Sequence, residues 1–162
     1  MSEPIVGVVM GSDSDLKVMQ KCLDTLKDFG IAYEVRIISA HRTPQEAHEY
    51  ATSAVGRGLK IIIAAAGMSA ALSGVLAAAT TLPVIGVPIA SGELGGIDAF
   101  VSIAQMPPGV PVGCMAIDGA YNAAVYAATI LGLDDSAMAQ KLVDFKQQMA
   151  KKVIAKDQAL QK

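Results

Sequence analysis

The chain has 162 residues, a length that suits one domain over residues 1–162 with a hydrophobic core of its own. Its formal net charge is -2 at pH 7, from 13 basic and 15 acidic side chains, so no basic surface of the kind that binds nucleic acid is expected. Hydrophobic residues make up 52% of the chain and charged residues 17%, a balance that predicts a homo-oligomer whose subunits cover part of this apolar surface.

Apolar runs and helical repeats alternate along the chain. The predicted strands are Ile5 to Met10, Tyr33 to Ile38, Leu59 to Ala65, Val84 to Val87 and Val112 to Ile117. The predicted helices are about Leu16 to Phe29 (stopped by Gly30), Pro44 to Val55, an Ala-rich stretch up to about Ala79, Ile97 to Ala104, Ala120 to Leu131, and Ser136 to Ala155 (capped by Asp134-Asp135-Ser136). This alternation predicts an α/β fold with a doubly wound, parallel, five-stranded sheet in three layers.

The segment from Ile61 to Gly92 carries no charged residue and is longer than the roughly 20 residues that span a bilayer. Glycine, proline, serine and threonine interrupt it, and alanine dominates where lipid-facing helices prefer larger apolar residues. A strand, a helix and a second strand are therefore the favoured interpretation, with no membrane partner.

Cysteine usage and the N-terminal residues favour the cytoplasm. Cys22 and Cys114 lack the spacing of a metal site or a disulfide framework, so both are predicted to be buried apolar residues in a reducing compartment. The first residues, Met1-Ser2-Glu3-Pro4, do not have the basic and apolar regions of a secretory signal.

The stretch Ser39-Ala40-His41-Arg42-Thr43-Pro44 concentrates reactive side chains at the carboxyl end of the second predicted strand. Ligands bind at that end of the strands in open α/β sheets, so a ligand site is predicted here. The structural alternative is that Thr43 caps a helix with Pro44 at its first position, while His41 fills a gap and Arg42 is solvated.

A second candidate segment, Gly11-Ser12-Asp13-Ser14-Asp15, follows the first strand. Its amides and hydroxyls suit an anion at a helix N-terminus, but it matches neither a dinucleotide fingerprint nor a Walker loop. A monophosphate with a ribose fits these side chains better, with serine and arginine for the phosphate and a carboxylate for the hydroxyls. The alternative is that Ser12 or Asp13 is simply a helix cap.

The third strand leads into small residues, Ala64 to Gly74, among which Gly67 and Ser69 are predicted to contact the ligand. Small residues let backbone approach a ligand and exclude water, although they also allow close packing of a helix on a sheet. The Gly- and Pro-rich connection from Ala90 to Val110 is long enough to lie over a site.

The chain has two histidines. His41 lies in the motif, whereas His48 has glutamates beside it and is predicted to be a solvated helix residue. The sequence does not show convergent metal ligands, a catalytic triad or a cysteine in a reactive setting. We therefore expect proton transfer by His41, without a metal or an organic cofactor.

These three segments, followed by Leu82 to Pro88 and Gln105 to Val112, resemble the carboxyaminoimidazole ribonucleotide-forming enzymes of purine synthesis, the PurE family. The likeness runs nearly end to end and is strongest to the N5-carboxyaminoimidazole ribonucleotide mutases of bacteria. It implies a flavodoxin-like fold, a homo-octamer, a ribonucleotide substrate and CO2, and no cofactor.

The resemblance also implies roles for individual residues. Ser12, Ser14, Asp15, Ser39 and Arg42 would hold the ribose phosphate, and His41 matches the catalytic histidine of the family. The implied reaction moves a carboxyl group from the exocyclic nitrogen to C4 of the imidazole, through CO2 and aminoimidazole ribonucleotide.

One segment departs from the mutase pattern. Mutases usually have a histidine in the third-strand loop followed by Leu-Pro-Gly, where this chain has Ala71-Leu72-Ser73-Gly74. That variant resembles the branch of the family that carboxylates aminoimidazole ribonucleotide directly with CO2. Members of that branch, however, typically have lysine where this chain has Arg42, and Arg-Ser-Asn where it has Met68-Ser69-Ala70. The mutase reaction is therefore expected, with direct carboxylation as the alternative. A non-catalytic nucleotide-binding module, in which His41 is dispensable, is a further alternative.

Overall fold

The structure is a computed structural model that describes residues 3–161. The strands are β1 (Val6–Met10), β2 (Tyr33–Ile37), β3 (Ile61–Gly67), β4 (Val84–Ile89) and β5 (Gly113–Cys114). The helices are α1 (Leu16–Phe29), α2 (Pro44–Ala54), α3 (Leu72–Ala79), α4 (Ile97–Ala104), α5 (Ala120–Leu131) and α6 (Ser136–Leu160). Among residues 3–161, no helix combines the length and the apolar character needed to cross a membrane.

All five strands pair in parallel in the order β2-β1-β3-β4-β5, as the sequence predicted for a doubly wound sheet. The chain steps from β1 to β2 in one direction and from β3 to β5 in the other. Because parallel crossovers are right-handed, this reversal places α1 on one face of the sheet and α2 to α4 on the other. The three-layer, flavodoxin-like α/β fold is confirmed.

The core lies between the sheet and its helices. β1 is buried at every position, and the part of β3 from Ile61 to Ala66 is buried as well, which explains their continuous apolar sequences. Buried residues of α2, α3 and α4, including Ala51, Leu76 and Ile103, form one cluster with Ile62 of β3. This packing holds the carboxyl ends of the central strands in fixed positions.

The chain divides into two compact units, the first ending at Ala127 and the second beginning at Ala128. The sheet and its carboxyl-end loops belong to the first unit. In the second unit, the Asp135 carboxylate accepts hydrogen bonds from the backbone N–H groups of Ala137 and Met138 at the start of α6, so the predicted cap is confirmed. The prediction of one domain over residues 1–162 stays a prediction.

The sheet edges differ most from the sequence prediction. β5 has two residues where six were predicted, and its Cys114 is only partly buried, while Cys22 is buried as expected. A strand at a sheet edge has one neighbour and is less covered than a central strand, so an apolar sequence alone overestimates its length. β2, at the other edge, leaves Ile37 57% exposed.

Candidate functional site

The segment after β1 forms a single turn of 3-10 helix, Asp13–Asp15, that leads into α1. The Ser12 hydroxyl accepts a hydrogen bond from the Ser14 N–H at 3.3 Å, and the Asp15 carboxylate accepts one from the Ser12 N–H at 3.1 Å. These two bonds make a capping box, so the structural alternative for Ser12 is realised. The Ser14 hydroxyl donates to Ser12 Oγ at 2.9 Å, which places both hydroxyls together at the strand end.

Asp15 is a buried carboxylate beside this turn, with 6% of its surface exposed. Burial raises the pKa of Asp15, and the hydrogen bond from the Ser12 N–H only partly offsets that effect. A carboxylate held in this way is prepared to accept a further hydrogen bond from a ligand hydroxyl, since each such bond compensates for lost solvation.

The segment after β2 closes into a tight turn that positions Arg42. Ser39 and Thr43 are joined by three hydrogen bonds: Ser39 N–H to Thr43 Oγ1 at 3.0 Å, Thr43 Oγ1 to Ser39 O at 3.0 Å and Thr43 N–H to Ser39 O at 2.8 Å. Thr43 precedes Pro44 at the start of α2, as the structural alternative predicted, but its hydroxyl bonds to Ser39 and not to the helix N–H groups. The turn is thus fixed by Thr43, which leaves the Ser39 hydroxyl to interact with Arg42.

The Arg42 side chain links the two strand ends. Its Nε donates to Ser39 Oγ at 3.3 Å, and its Nη2 donates to the carbonyl oxygen of Gly11 at 3.2 Å. The guanidinium has further N–H groups, and its bond to the Gly11 carbonyl holds it next to the segment that carries Ser12 and Ser14. An arginine held in place close to serine hydroxyls is an arrangement suited to binding an anion.

The two histidines differ in position, as predicted. His41 lies exposed in the turn after β2 and lines the cavity described below, and no hydrogen bond to its ring is found within residues 3–161. His48 lies on the exposed side of α2, so its predicted place as a solvated helix residue is confirmed. The imidazole of His41 is therefore available to a ligand.

The loop after β3 presents backbone to the same region. Gly67 ends the strand, and an added Cβ at this position would overlap Ser91 Oγ, so only glycine fits without a shift. Met68 has a φ of 54°, an unusual value for a residue with a side chain, and Ser69 follows it exposed to solvent. The tight turn leads directly into α3.

The cavity formed by these segments has a volume of about 660 Å³. It is lined by every site residue that the sequence predicted: Ser12, Ser14, Asp15, Ser39, His41, Arg42, Gly67 and Ser69. It lies at the carboxyl ends of β1 and β3, where the direction of strand order reverses, which is the usual ligand site of such sheets. Arginine and serine side chains suited to an anion thus share one cavity with an imidazole and an apolar wall.

Ser91 also lines this cavity, and sequence reasoning missed it. It follows β4 by two positions, at the start of the Gly- and Pro-rich connection. Its place just beyond a predicted strand was the signal that could have identified it, because the carboxyl ends of β1, β2 and β3 had already suggested site residues. Ala71 and Leu72 line the cavity too, where the mutase pattern expects a histidine at the first of these positions.

Among residues 3–161, no three His, Cys, Asp or Glu side chains converge as metal ligands. A second cavity of about 240 Å³ lies beside α2 and is lined by Arg36, Glu46, Glu49, Tyr50, Ser53 and Arg57. None of the eight predicted site residues lines this second cavity.

Comparison with known proteins assigns the chain to a family. A family model described as AIR carboxylase matches residues 5–152. The chain belongs to the AIR carboxylase family. This member is 50% identical over 159 residues to a curated protein named N5-carboxyaminoimidazole ribonucleotide mutase from Pyrococcus horikoshii, covering 98% of the chain and 90% of the relative.

Other members of the AIR carboxylase family are similarly close. The N5-carboxyaminoimidazole ribonucleotide mutase of Mycobacterium leprae is 51% identical, over 99% of this chain and 94% of that protein. The phosphoribosylaminoimidazole carboxylase of Saccharomyces cerevisiae is 50% identical, over 99% of this chain but 28% of its own length. The crystal structure of Treponema denticola PurE superposes with a TM-score of 0.89 at 32% identity, covering 98% of this chain and 99% of that one.

Proposed function

We propose that this member of the AIR carboxylase family converts N5-carboxyaminoimidazole ribonucleotide to 4-carboxyaminoimidazole ribonucleotide in purine biosynthesis. The observation that carries the proposal is about 50% identity, over 98% of the chain, to curated proteins that bear the mutase name. The cavity adds support, because it combines anion-binding side chains with an available imidazole.

The ribose phosphate would bind at the ends of β1 and β2. Arg42 and the hydroxyls of Ser12, Ser14 and Ser39 supply a charge and donors for phosphate oxygens. Asp15, buried beside them, would accept a hydrogen bond from a ribose hydroxyl. Gly67 and Ser69 would contact the base end of the substrate through the third-strand loop.

His41 would move the proton. When the bond between the exocyclic nitrogen and the carboxyl carbon breaks, a proton on His41 passes to that nitrogen, which leaves CO2 and aminoimidazole ribonucleotide. C4 then attacks CO2, and His41 accepts the proton that C4 must lose to restore the aromatic ring. The proton count balances over the cycle, and an imidazole can perform both transfers near neutral pH.

Retaining CO2 requires an enclosed site, since CO2 is small and neutral. Apolar residues of the third-strand loop, Ala66, Ala70 and Leu72, line the cavity and would exclude water from this end. We further infer a homo-oligomer, an octamer by the family resemblance, that works in the cytoplasm. Exposed apolar side chains on α4, such as Ile97 at 64% exposure, are consistent with coverage by another copy.

Direct carboxylation of aminoimidazole ribonucleotide with CO2 is the second candidate. Ala71 lines the cavity at the position where mutases usually have a histidine, and the yeast relative carries the carboxylase name. Without a histidine at this position, the cavity has one fewer side chain that could carry a proton in the mutase reaction.

A substrate-choice assay separates the two reactions. Purified protein receives either N5-carboxyaminoimidazole ribonucleotide without bicarbonate, or aminoimidazole ribonucleotide with bicarbonate, and formation of the 4-carboxy product is followed in both. Faster product formation in the first arm is expected. Product from the second arm alone would make the protein a carboxylase, and no product from either arm would contradict an enzymatic function.

A further inference from the structure

Ser91 has a hydroxyl that the structure leaves without a partner. Its Oγ is buried and makes no hydrogen bond to any atom of residues 3–161, although the residue as a whole is partly exposed and lines the large cavity. A buried hydroxyl without a hydrogen bond costs free energy, so native proteins rarely retain one without a reason. A ligand that bonds to the hydroxyl would supply that reason.

The backbone around Ser91 is firmly held. The Ala90 N–H donates to Asp118 Oδ1 at 2.9 Å, and the Asp118 N–H donates to the carbonyl oxygen of Pro88 at 2.8 Å. These bonds hold the backbone immediately before Ser91, and its side chain can rotate about the Cα–Cβ bond between staggered positions. Because Ser91 lines the cavity and its Oγ has no hydrogen bond to break within the described chain, this rotation leaves the hydroxyl able to reorient towards a ligand.

Gly67 provides the space for this hydroxyl. A Cβ at Gly67 would overlap Ser91 Oγ and lie 3.2 Å from Ser91 Cβ, so a larger residue would displace the serine. The two residues therefore act as a pair at the adjacent ends of β3 and β4. Glycine is therefore needed at position 67 to leave room for the Ser91 side chain, in addition to letting the backbone approach a ligand.

The position of Ser91 determines which part of a bound substrate it can contact. β4 lies two strands from β1 in the sheet, a separation of about 10 Å, whereas the phosphate-binding side chains follow β1 and β2. Gly67 lies against Ser91, and the small apolar residues Ala66 and Ala70 line the same cavity. A substrate whose phosphate lies at Arg42 would extend its base, and the carboxyl group on the base, towards β3 and β4.

We propose that Ser91 donates a hydrogen bond to the carboxyl group that is transferred in the reaction, and so helps to hold it at the β3 and β4 end of the cavity. This inference rests on the proposed function and adds to it a residue that recognises the carboxyl group. A hydroxyl is suited to this position because it can donate to the carboxylate of substrate or product without introducing a charge that would need its own partner.

Calorimetry with two nucleotides tests the assignment. Aminoimidazole ribonucleotide and its 4-carboxy derivative are titrated into the wild type, Ser91→Ala and Ser102→Ala, the last being an exposed serine of α4 outside the cavity lining. We expect Ser91→Ala to weaken binding of the 4-carboxy nucleotide by about tenfold and to change binding of the nucleotide without the carboxyl group by less than about twofold. Ser102→Ala should change neither.

Equal weakening of both nucleotides by Ser91→Ala, or no weakening of either, would overturn the inference. If the wild type itself binds neither nucleotide, the proposed function fails, and that result is distinct from a failure of Ser91 alone. Ser91→Cys, which keeps an atom at the γ position but donates only weakly, provides a second variant if Ser91→Ala does not fold. It should show the same selective loss for the 4-carboxy nucleotide.

Discussion

Replacement of Arg42 by alanine should weaken nucleotide binding in a way that the structure allows us to estimate. The guanidinium is already held by Ser39 Oγ and the Gly11 carbonyl oxygen, so little additional ordering is needed when a phosphate binds. Hydrogen bonds to a charged group contribute about 1.5–3 kcal/mol each. Loss of one such contact corresponds to a rise in the dissociation constant of about ten- to a hundredfold.

Isothermal calorimetry with aminoimidazole ribonucleotide at two salt concentrations measures this effect. Arg42→Lys should give an intermediate loss, because lysine keeps the charge but not the planar arrangement of donors. Arg36→Ala is the matched control, because it also removes one positive charge. Arg36 lies on β2, its side chain is 52% exposed, and it does not line the large cavity. The control should retain the affinity of the wild type.

A dissociation constant for Arg42→Ala within about twofold of the wild-type value would refute the assignment of Arg42 to the phosphate. An equal loss in Arg36→Ala would also refute it, because the effect would then come from net charge alone. The wild-type affinity should fall as salt is raised, and this dependence should be smaller in Arg42→Ala.

Two further predictions concern stability. Ser73 is 1% exposed, and its hydroxyl has no hydrogen-bond partner among residues 3–161. Ser73→Ala should therefore raise the free energy of unfolding by about 1 kcal/mol. A lower thermal midpoint in this variant would contradict the prediction. Burial is the largest single effect on the pKa of Glu34 and raises it, but the ion pair with Arg57, together with Tyr50 and Arg36, outweighs burial and lowers the pKa from 4.5. The pair therefore stabilises the fold above pH 4.5 and loses this effect as the pH falls through the lower folded-state pKa. Glu34→Gln should cost about 0.5 kcal/mol at neutral pH and nothing at a pH below that pKa, as measured by denaturant unfolding; an unchanged difference at both pH values would contradict the assignment.

The sequence predicted the central part of the fold well, because buried parallel strands and capped helices leave local signals. The apolar run of β1 and the Gly30 helix stop are examples, and Gly30 has the φ of 74° that glycine readily adopts. The length of β5 was not predictable in the same way. An edge strand ends where its single neighbour stops pairing with it, and that depends on tertiary packing.

The same distinction applies to the candidate site, where local sequence signals indicated some residues and missed others. His41, Arg42 and Ser12 stand in short segments rich in reactive side chains, so the sequence indicated them, and the structure brings them to one cavity. Ser91 stands alone in an ordinary loop sequence, and its interest comes from a missing hydrogen bond and from its closeness to Gly67. Such relations between distant positions are visible only in three dimensions. The roles of all these residues stay predictions.

The central claim, that His41 carries the proton in this cavity, is tested most directly by His41→Asn. Turnover of N5-carboxyaminoimidazole ribonucleotide and binding of the 4-carboxy product are measured side by side, with His48→Asn on the exposed side of α2 as control. Asparagine can form hydrogen bonds but cannot exchange a proton near neutral pH. We expect His41→Asn to abolish turnover while product binding remains nearly unchanged and the control stays fully active. Turnover that survives in His41→Asn would contradict the mechanism.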